Sequence, residues 1–128
     1  VDKIELVKQA LNKALNKLIN RAVNSNEFKE TVMKELVKEL SILQMTVSEI
    51  YYEFDEYPHV KTHVVDKDLS IHDEKATDFI DIYVDNTVIT AIVICQRFKI
   101  EKDQKIIYIL RDYEIKTKIE VIEAPEAE

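Results

Sequence analysis

Carboxylates are the side chains through which this chain could hold a hard divalent cation, and Asp81, Glu49 and Glu53 are the best placed of them. Asp81 falls inside an apolar run with strand character, while Glu49, Glu53 and Glu56 step along what reads as the end of a helix. Brought together, two such groups would bind Mg²⁺ or Mn²⁺; kept apart, they simply solvate a strand and a helix face. The three histidines, His59, His63 and His72, match no zinc-site spacing. His59 and His63 share one face of a predicted strand, and His72 or Asp73 would have to complete any site, so surface histidines are expected. Cys95, the single cysteine, closes a very apolar stretch with no basic residue before Arg97, which predicts a buried, inert thiol and not a nucleophile. No catalytic group, metal or cofactor is therefore expected; the alternative is Asp81 with Glu53 or Glu49 around Mg²⁺ or Mn²⁺.

Lys13, Lys17 and Arg21 recur every fourth residue and form a one-sided basic stripe on a predicted first helix, beside Asn12, Asn16 and Asn20. Such a stripe can touch phosphate, pair with an acidic neighbour, or stay solvated. Charge distribution weighs against nucleic acid. Residues 1–23 carry five basic and two acidic side chains, whereas residues 46–128 carry ten basic and nineteen acidic, in a chain of net charge −7. An acidic body repels phosphate backbones, so a protein partner is favoured over nucleic acid. Tyr51, Tyr52 and Tyr57 cluster where the second helix is expected to end, as core-edge aromatics or as part of an interface.

These residues need elements to position them. A chain of 128 residues suffices for one domain with its own core, and 46% hydrophobic with 34% charged residues places it in the globular class. One cysteine excludes an internal disulfide, and no apolar run reaches membrane-spanning length, so a cytoplasmic location is expected. There is no glycine. That excludes Walker loops, dinucleotide fingerprints and nucleophile elbows, and it forces positive-φ turns onto Asn and Asp. Together with the Lys, Glu and Ile richness, it suits a thermophile.

Apolar residues at spacings of three and four from Ile4 to Leu18 predict a helix over 3–23. Asn24 and Glu27 have capping-box spacing, with the glutamate reaching back to the cap amide. A second helix is expected from there to residue 54, on the stripe Phe28, Val32, Leu36, Leu40, Leu43, Val47, Ile50 and Phe54, stopping before Pro58. Beyond Pro58 the period drops to two. Strands are predicted over 59–66, 79–84 and 88–95, the last central and covered on both faces, with 67–77 a loop and Asp85 and Asn86 a two-residue hairpin turn. Residues 103–116 fit a helix on Ile106, Ile107, Leu110 and Tyr113, and a last strand runs to 123 before an acidic tail.

The order αβββαβ, with the runs DFIDIYVDN at 78–86 and AIVIC at 91–95, resembles the PD-(D/E)XK restriction-endonuclease-like family over residues 45–123. The archaeal versions with a helical region ahead of the nuclease core are the most similar. The resemblance implies a metal-binding Asp at Asp81, followed on the next strand by a Glu and a Lys position. Val93 and Cys95 occupy those two positions. Valine cannot ligate a hard cation and a thiol does not replace an ammonium group, so the resemblance implies a degenerate scaffold, a pseudoenzyme.

The sequence thus predicts an α+β protein: two N-terminal amphipathic helices (residues 1–45), then a small mixed β-sheet with one flanking helix (residues 46–128), helix 2 continuing across the boundary. The helices carry more apolar surface than such a sheet needs, so a homodimer or other homo-oligomer is expected, with no membrane association. The expected function is a non-catalytic binding or assembly protein. The alternatives are a metal-dependent nuclease using Asp81 and a displaced acid, and a nucleic-acid-associated regulator contacting phosphate through Lys13, Lys17 and Arg21.

Overall fold

Helix α1 (Lys3–Asn16) begins where Asp2 caps it, the carboxylate accepting from the Ile4 N–H at 3.0 Å. The computed structural model describes residues 2–121, so the expected strand end at 123 and the acidic tail lie outside the described residues. α1 stops at Asn16 instead of continuing to 23. Asn20 takes φ 60° and donates its N–H to the Leu110 carbonyl, which turns the chain onto the sheet as the two-residue strand β1 (Ala22–Val23). Asn24 then caps α2 (Ser25–Ile42), accepting from the Glu27 N–H at 2.8 Å. The capping box is only half made, because Glu27 gives its carboxylate to Arg21 at 3.1 Å.

The heptad-like stripe expected to carry α2 to residue 54 is cut after Ile42. The Met45 N–H bonds the Leu40 carbonyl and the Gln44 N–H bonds the Ser41 carbonyl, both at 2.9 Å, with Gln44 at φ 60°. This is a Schellman stop with glutamine in glycine's usual place. Strand β2 (Val47–Glu53) follows, and Ile50 and Tyr52 reach the core by alternation instead of helical phase.

After β3 (His59–Asp66) come three long strands, β4 (Leu69–Val84), β5 (Thr87–Lys102) and β6 (Lys105–Val121). Two-residue turns join them. Asp85 and Asn86 (φ 46° and 60°), then Asp103 and Gln104 (φ 50° and 66°), supply the positive angles such hairpins need. The named strands pair antiparallel in the order β1-β6-β5-β4-β2, with β3 alongside the first half of β4, in one strongly curled half-barrel.

The expected loop at 67–77 is therefore strand from Leu69 onward, with only Lys67 and Asp68 in a turn. Its polar residues alternate, and the inward ones meet partners: His72 bonds the Thr62 hydroxyl and Glu74 bonds Arg97. The expected helix at 103–116 is a turn at Asp103 and Gln104 and then strand from Lys105. Ile106, Ile107, Tyr108 and Ile109 pair in sequence with β5, and their β-branched and aromatic density outweighs the helical spacing of Leu110 and Tyr113. The αβββαβ order and the small mixed sheet with a flanking helix give way to two helices against one large, wholly antiparallel sheet.

Among the described residues, only the inner sheet face is covered. Leu11, Leu15, Leu18, Phe28, Leu36 and Leu40 pack with Ile80, Ile82, Ile89 and Val93 in one cluster, each such side chain contributing roughly 1.5–3 kcal/mol. Most of the helix stripes are thus satisfied within the chain, while Val37, Ile42 and Leu43 of α2 and its C-cap stay exposed. β5 is central as expected, but its outer residues Thr90, Ile92 and Ile94 carry no covering layer. Asn86→Val is expected to lower unfolding stability by ~1–2 kcal/mol through left-handed strain. Gln104→Gly is expected to raise it by ~0.5 kcal/mol, relief of strain exceeding the added unfolded-chain entropy. Urea denaturation midpoints check both.

Candidate functional site: a buried arginine cluster

β4 and β5 run side by side with Asp78 opposite Val93 and Glu74 opposite Arg97, all four buried on the inner face. Arg97 is 0% exposed. Its Nη1 donates to Asp78 Oδ2 at 2.8 Å, its Nη2 to the Asp55 carbonyl at 3.1 Å and its Nε to Glu74 Oε1 at 3.4 Å. The guanidinium carbon lies 3.7 Å from the centroid of the Phe54 ring, with the Tyr108 and Phe28 rings at 5.5 and 5.8 Å. Aromatic faces of this kind accept a weakly hydrated, planar cation.

Asp78 is equally engaged. Oδ2 also accepts the Tyr52 hydroxyl at 2.6 Å, and Oδ1 accepts the Asp55 N–H at 2.8 Å. The Asp55 carboxylate in turn accepts the Thr77 N–H at 2.8 Å and the Tyr57 N–H at 2.9 Å, which staples the connection after β2 against β4. Burial disfavours the Arg97 charge, but Asp78 beside it more than compensates, and the guanidinium stays protonated. Glu74 is pushed up by burial, only partly offset by Arg97: one cation cannot neutralise two enclosed carboxylates. Burial, then the Asp78 charge, likewise raises Tyr52 well above its ordinary value.

The arrangement is a satisfied ionic network and not a poised acid, base or nucleophile. Both Asp78 oxygens already have donors, and burial, followed by Asp78, pushes the Cys95 thiol up to about 12, which keeps it protonated at neutral pH. Residues 54–58 separate two surface depressions of about 540 and 260 Å³. Glu74 reaches the smaller one, beside Lys29, Lys99 and Tyr108.

The residues singled out from the sequence lie elsewhere. Asp81, Glu49 and Glu53 share the outer sheet face, but Tyr51, opposite Asp81, stands between the two glutamates. Asp81 accepts the Thr90 hydroxyl at 2.7 Å and Glu49 accepts the Tyr51 hydroxyl at 3.0 Å. Among the described residues no group of three or more His, Cys, Asp or Glu side chains is disposed to hold a metal ion. Val93 and Cys95 point inward, so they do not share a face with Asp81. His59 and His63 lie on one side of β3 and His72 lies on the other side of the sheet, bonded to Thr62 at 2.9 Å. Lys13, Lys17 and Arg21 pair with Glu39, Glu35 and Glu27 at 3.0, 2.8 and 3.1 Å, a ladder that ties α1 and the segment after it to α2. The Lys17 hydrogen bond holds the Glu35 carboxyl below its ordinary value.

Arg97, Asp78 and Glu74 were not singled out by sequence reasoning, and Tyr52 was read only as a core-edge or interface aromatic. A signal existed: Asp78 keeps the phase of Ala76, Ile80 and Ile82, and Arg97 keeps that of Val93 and Cys95, so a base and an acid occupy core-parity positions on adjacent strands.

The chain matches no protein-family model, and neither a curated protein nor a solved structure is similar to it.

Arg97→Met is expected to cost ~3–5 kcal/mol by leaving Asp78 buried without its cation, and adding Asp78→Leu to recover part of that loss. Guanidinium denaturation of both variants checks this. Cys95 is expected to react with a thiol reagent only on unfolding. Cys95 and Tyr52 hold protons in the folded chain that the unfolded chain releases earlier, so their contribution is full below the ordinary thiol value of 9.0 and is lost as pH rises towards about 12. A thermal-melting series over that range should show the midpoint falling, less steeply for Cys95→Ala.

Proposed function

We propose that this chain is a non-catalytic binding or assembly protein that works as a homo-oligomer. The buried charges are used internally, and the Cys95 thiol is enclosed. The outer face of the sheet looks to solvent. One observation carries the reading: a six-stranded sheet has an outer face that neither helix covers, on which Tyr51 and Phe79 are 55% and 41% exposed. The edge strand β3 adds to it, exposed at all eight residues and, among the described residues, paired only with β4. No helix among the described residues is long and apolar enough to cross a membrane, and a free, buried cysteine suits a reducing, cytoplasmic setting.

A metal-dependent nuclease is the second reading, favoured by Asp81, Glu49 and Glu53 lying on one outer face. A nucleic-acid regulator working through Lys13, Lys17 and Arg21 would first have to break the ladder to α2. Titration of Mg²⁺ or Mn²⁺ against single- and double-stranded DNA and RNA is expected to give no cleavage above buffer, with Asp81→Ala indistinguishable from the parent. Cleavage that Asp81→Ala abolishes would overturn the non-catalytic reading, and tight, steeply salt-dependent binding lost in Lys17→Ala would favour the regulator.

A further inference from the structure

Glu74 leaves one oxygen of the buried cluster unused. Its side chain is 5% exposed, and Oε1 accepts from Arg97 Nε at 3.4 Å. No donor among the described residues reaches Oε2. The only fully sealed side-chain atom without a partner among them is His72 Nε2, so Oε2 opens into the depression of about 260 Å³ that Glu74 lines. The enclosed charges do not cancel, because Arg97 meets both Asp78 and Glu74. Burial holds the Glu74 carboxyl above its ordinary value although Arg97 and Lys99 pull it back.

The same depression carries an unanswered cation. Ser25 and Lys29 line it one turn apart at the start of α2, both half-buried, where the helix N-terminus favours negative charge. Lys29 makes no ion pair among the described residues, and Lys99, the other lysine on the rim, is spent on Glu101 at 3.3 Å. Lys29 and Glu74 thus share a cavity without pairing with each other. Glu56 adds a second acid to the lining, and Phe54, Pro58 and Tyr108 supply its apolar part.

We propose that this depression binds a small zwitterion of the free α-amino acid type, its ammonium on Glu74 Oε2 and its carboxylate on Lys29 and Ser25 at the head of α2. The proposal rests on the non-catalytic binding reading, for which it names a ligand, and it is independent of the homo-oligomer. A simple amine would leave Lys29 unanswered, and a simple anion would meet Glu74 with like charge. A molecule carrying both charges a short distance apart satisfies both. Its apolar part would lie against Phe54, Pro58 and Tyr108. The volume holds roughly eight waters at about 30 Å³ each, which suits a small metabolite and is too little for a nucleotide or a peptide.

Isothermal titration calorimetry of the full chain with each standard L-α-amino acid tests this. Any that binds is compared with the amine lacking its carboxylate and the acid lacking its amine. One or a few amino acids are expected to bind with Kd below about 1 mM, and both matched compounds at least about tenfold more weakly. Glu74→Gln and Lys29→Met should each weaken binding about five- to twentyfold, with circular dichroism confirming the fold. Should Glu74→Gln, which also loosens Arg97, misfold, Lys29→Met on its half-buried helix position decides alone. No binding of any amino acid up to about 10 mM overturns the site and leaves the assembly reading standing. An amine that binds as well as its amino acid, or binding indifferent to Lys29→Met, overturns the zwitterion. Turnover of the bound amino acid, read by NMR of the same mixture, would support the site and overturn the non-catalytic reading.

Discussion

A guanidinium sealed beneath a sheet keeps its charge only while acceptors meet its N–H groups, because taking an ion out of water costs several kcal/mol even after the protein relaxes. In this chain that condition reaches across the whole inner face. Arg97 on β5 requires Asp78 and Glu74 on β4 and the Asp55 carbonyl after β2, and Asp78 then holds Tyr52 of β2 and the Asp55 N–H. Phe28 of α2 and Phe54 close over the cation. Slipping any one of these elements by a residue would leave a charge enclosed without its counterpart. Buried pairs of this kind add little net stability compared with aliphatic packing, so what the network confers is a single permitted alignment of β2, β4 and α2.

The same saturation governs the helices. The basic series Lys13, Lys17 and Arg21, in α1 and just beyond it, looks, in isolation, like a surface waiting for an anion. Glu27, Glu35 and Glu39 answer it from α2, at positions four to eight residues apart on one side of that helix. Exposed pairs are each worth roughly 1 kcal/mol or less, so the ladder sets how the helices lie against each other more than it holds them down. Tyr113 reinforces this from the sheet, its hydroxyl reaching the Asn12 and Asn16 side chains at 3.0 and 2.8 Å.

Local signals were legible in the sequence. Alternation after Pro58 gave β3 at its observed bounds, Asp85 and Asn86 marked the first hairpin, Asn24 marked a cap, and the apolar run before Arg97 marked a buried Cys95. Non-local effects were not legible. The α2 stripe kept its helical phase through Phe54 although a Schellman stop at Gln44 ended it, and a non-glycine residue at that stop removed the usual sign. Residues 103–116 fitted two periods, and pairing with β5 chose between them. The polar stretch before Thr77 resembled a loop because its inward groups face an arginine twenty-three residues from Glu74, not a hydrocarbon core. For the same reason the cluster itself escaped notice: charge at core parity reads as solvent until its counterpart is known to lie on the neighbouring strand.

The two tight turns, at Asp85 with Asn86 and at Asp103 with Gln104, leave no slack between strands of sixteen and seventeen residues. Side chains in a strand alternate strictly, so the count of residues in those turns decides which half of β5 and β6 meets hydrocarbon and which meets water. Lengthening either turn by one amino acid would turn the fold inside out along an entire strand, exporting Arg97 and importing Lys116. The inside and outside of this molecule are thus set at two points of the backbone, and neither point touches the core it governs.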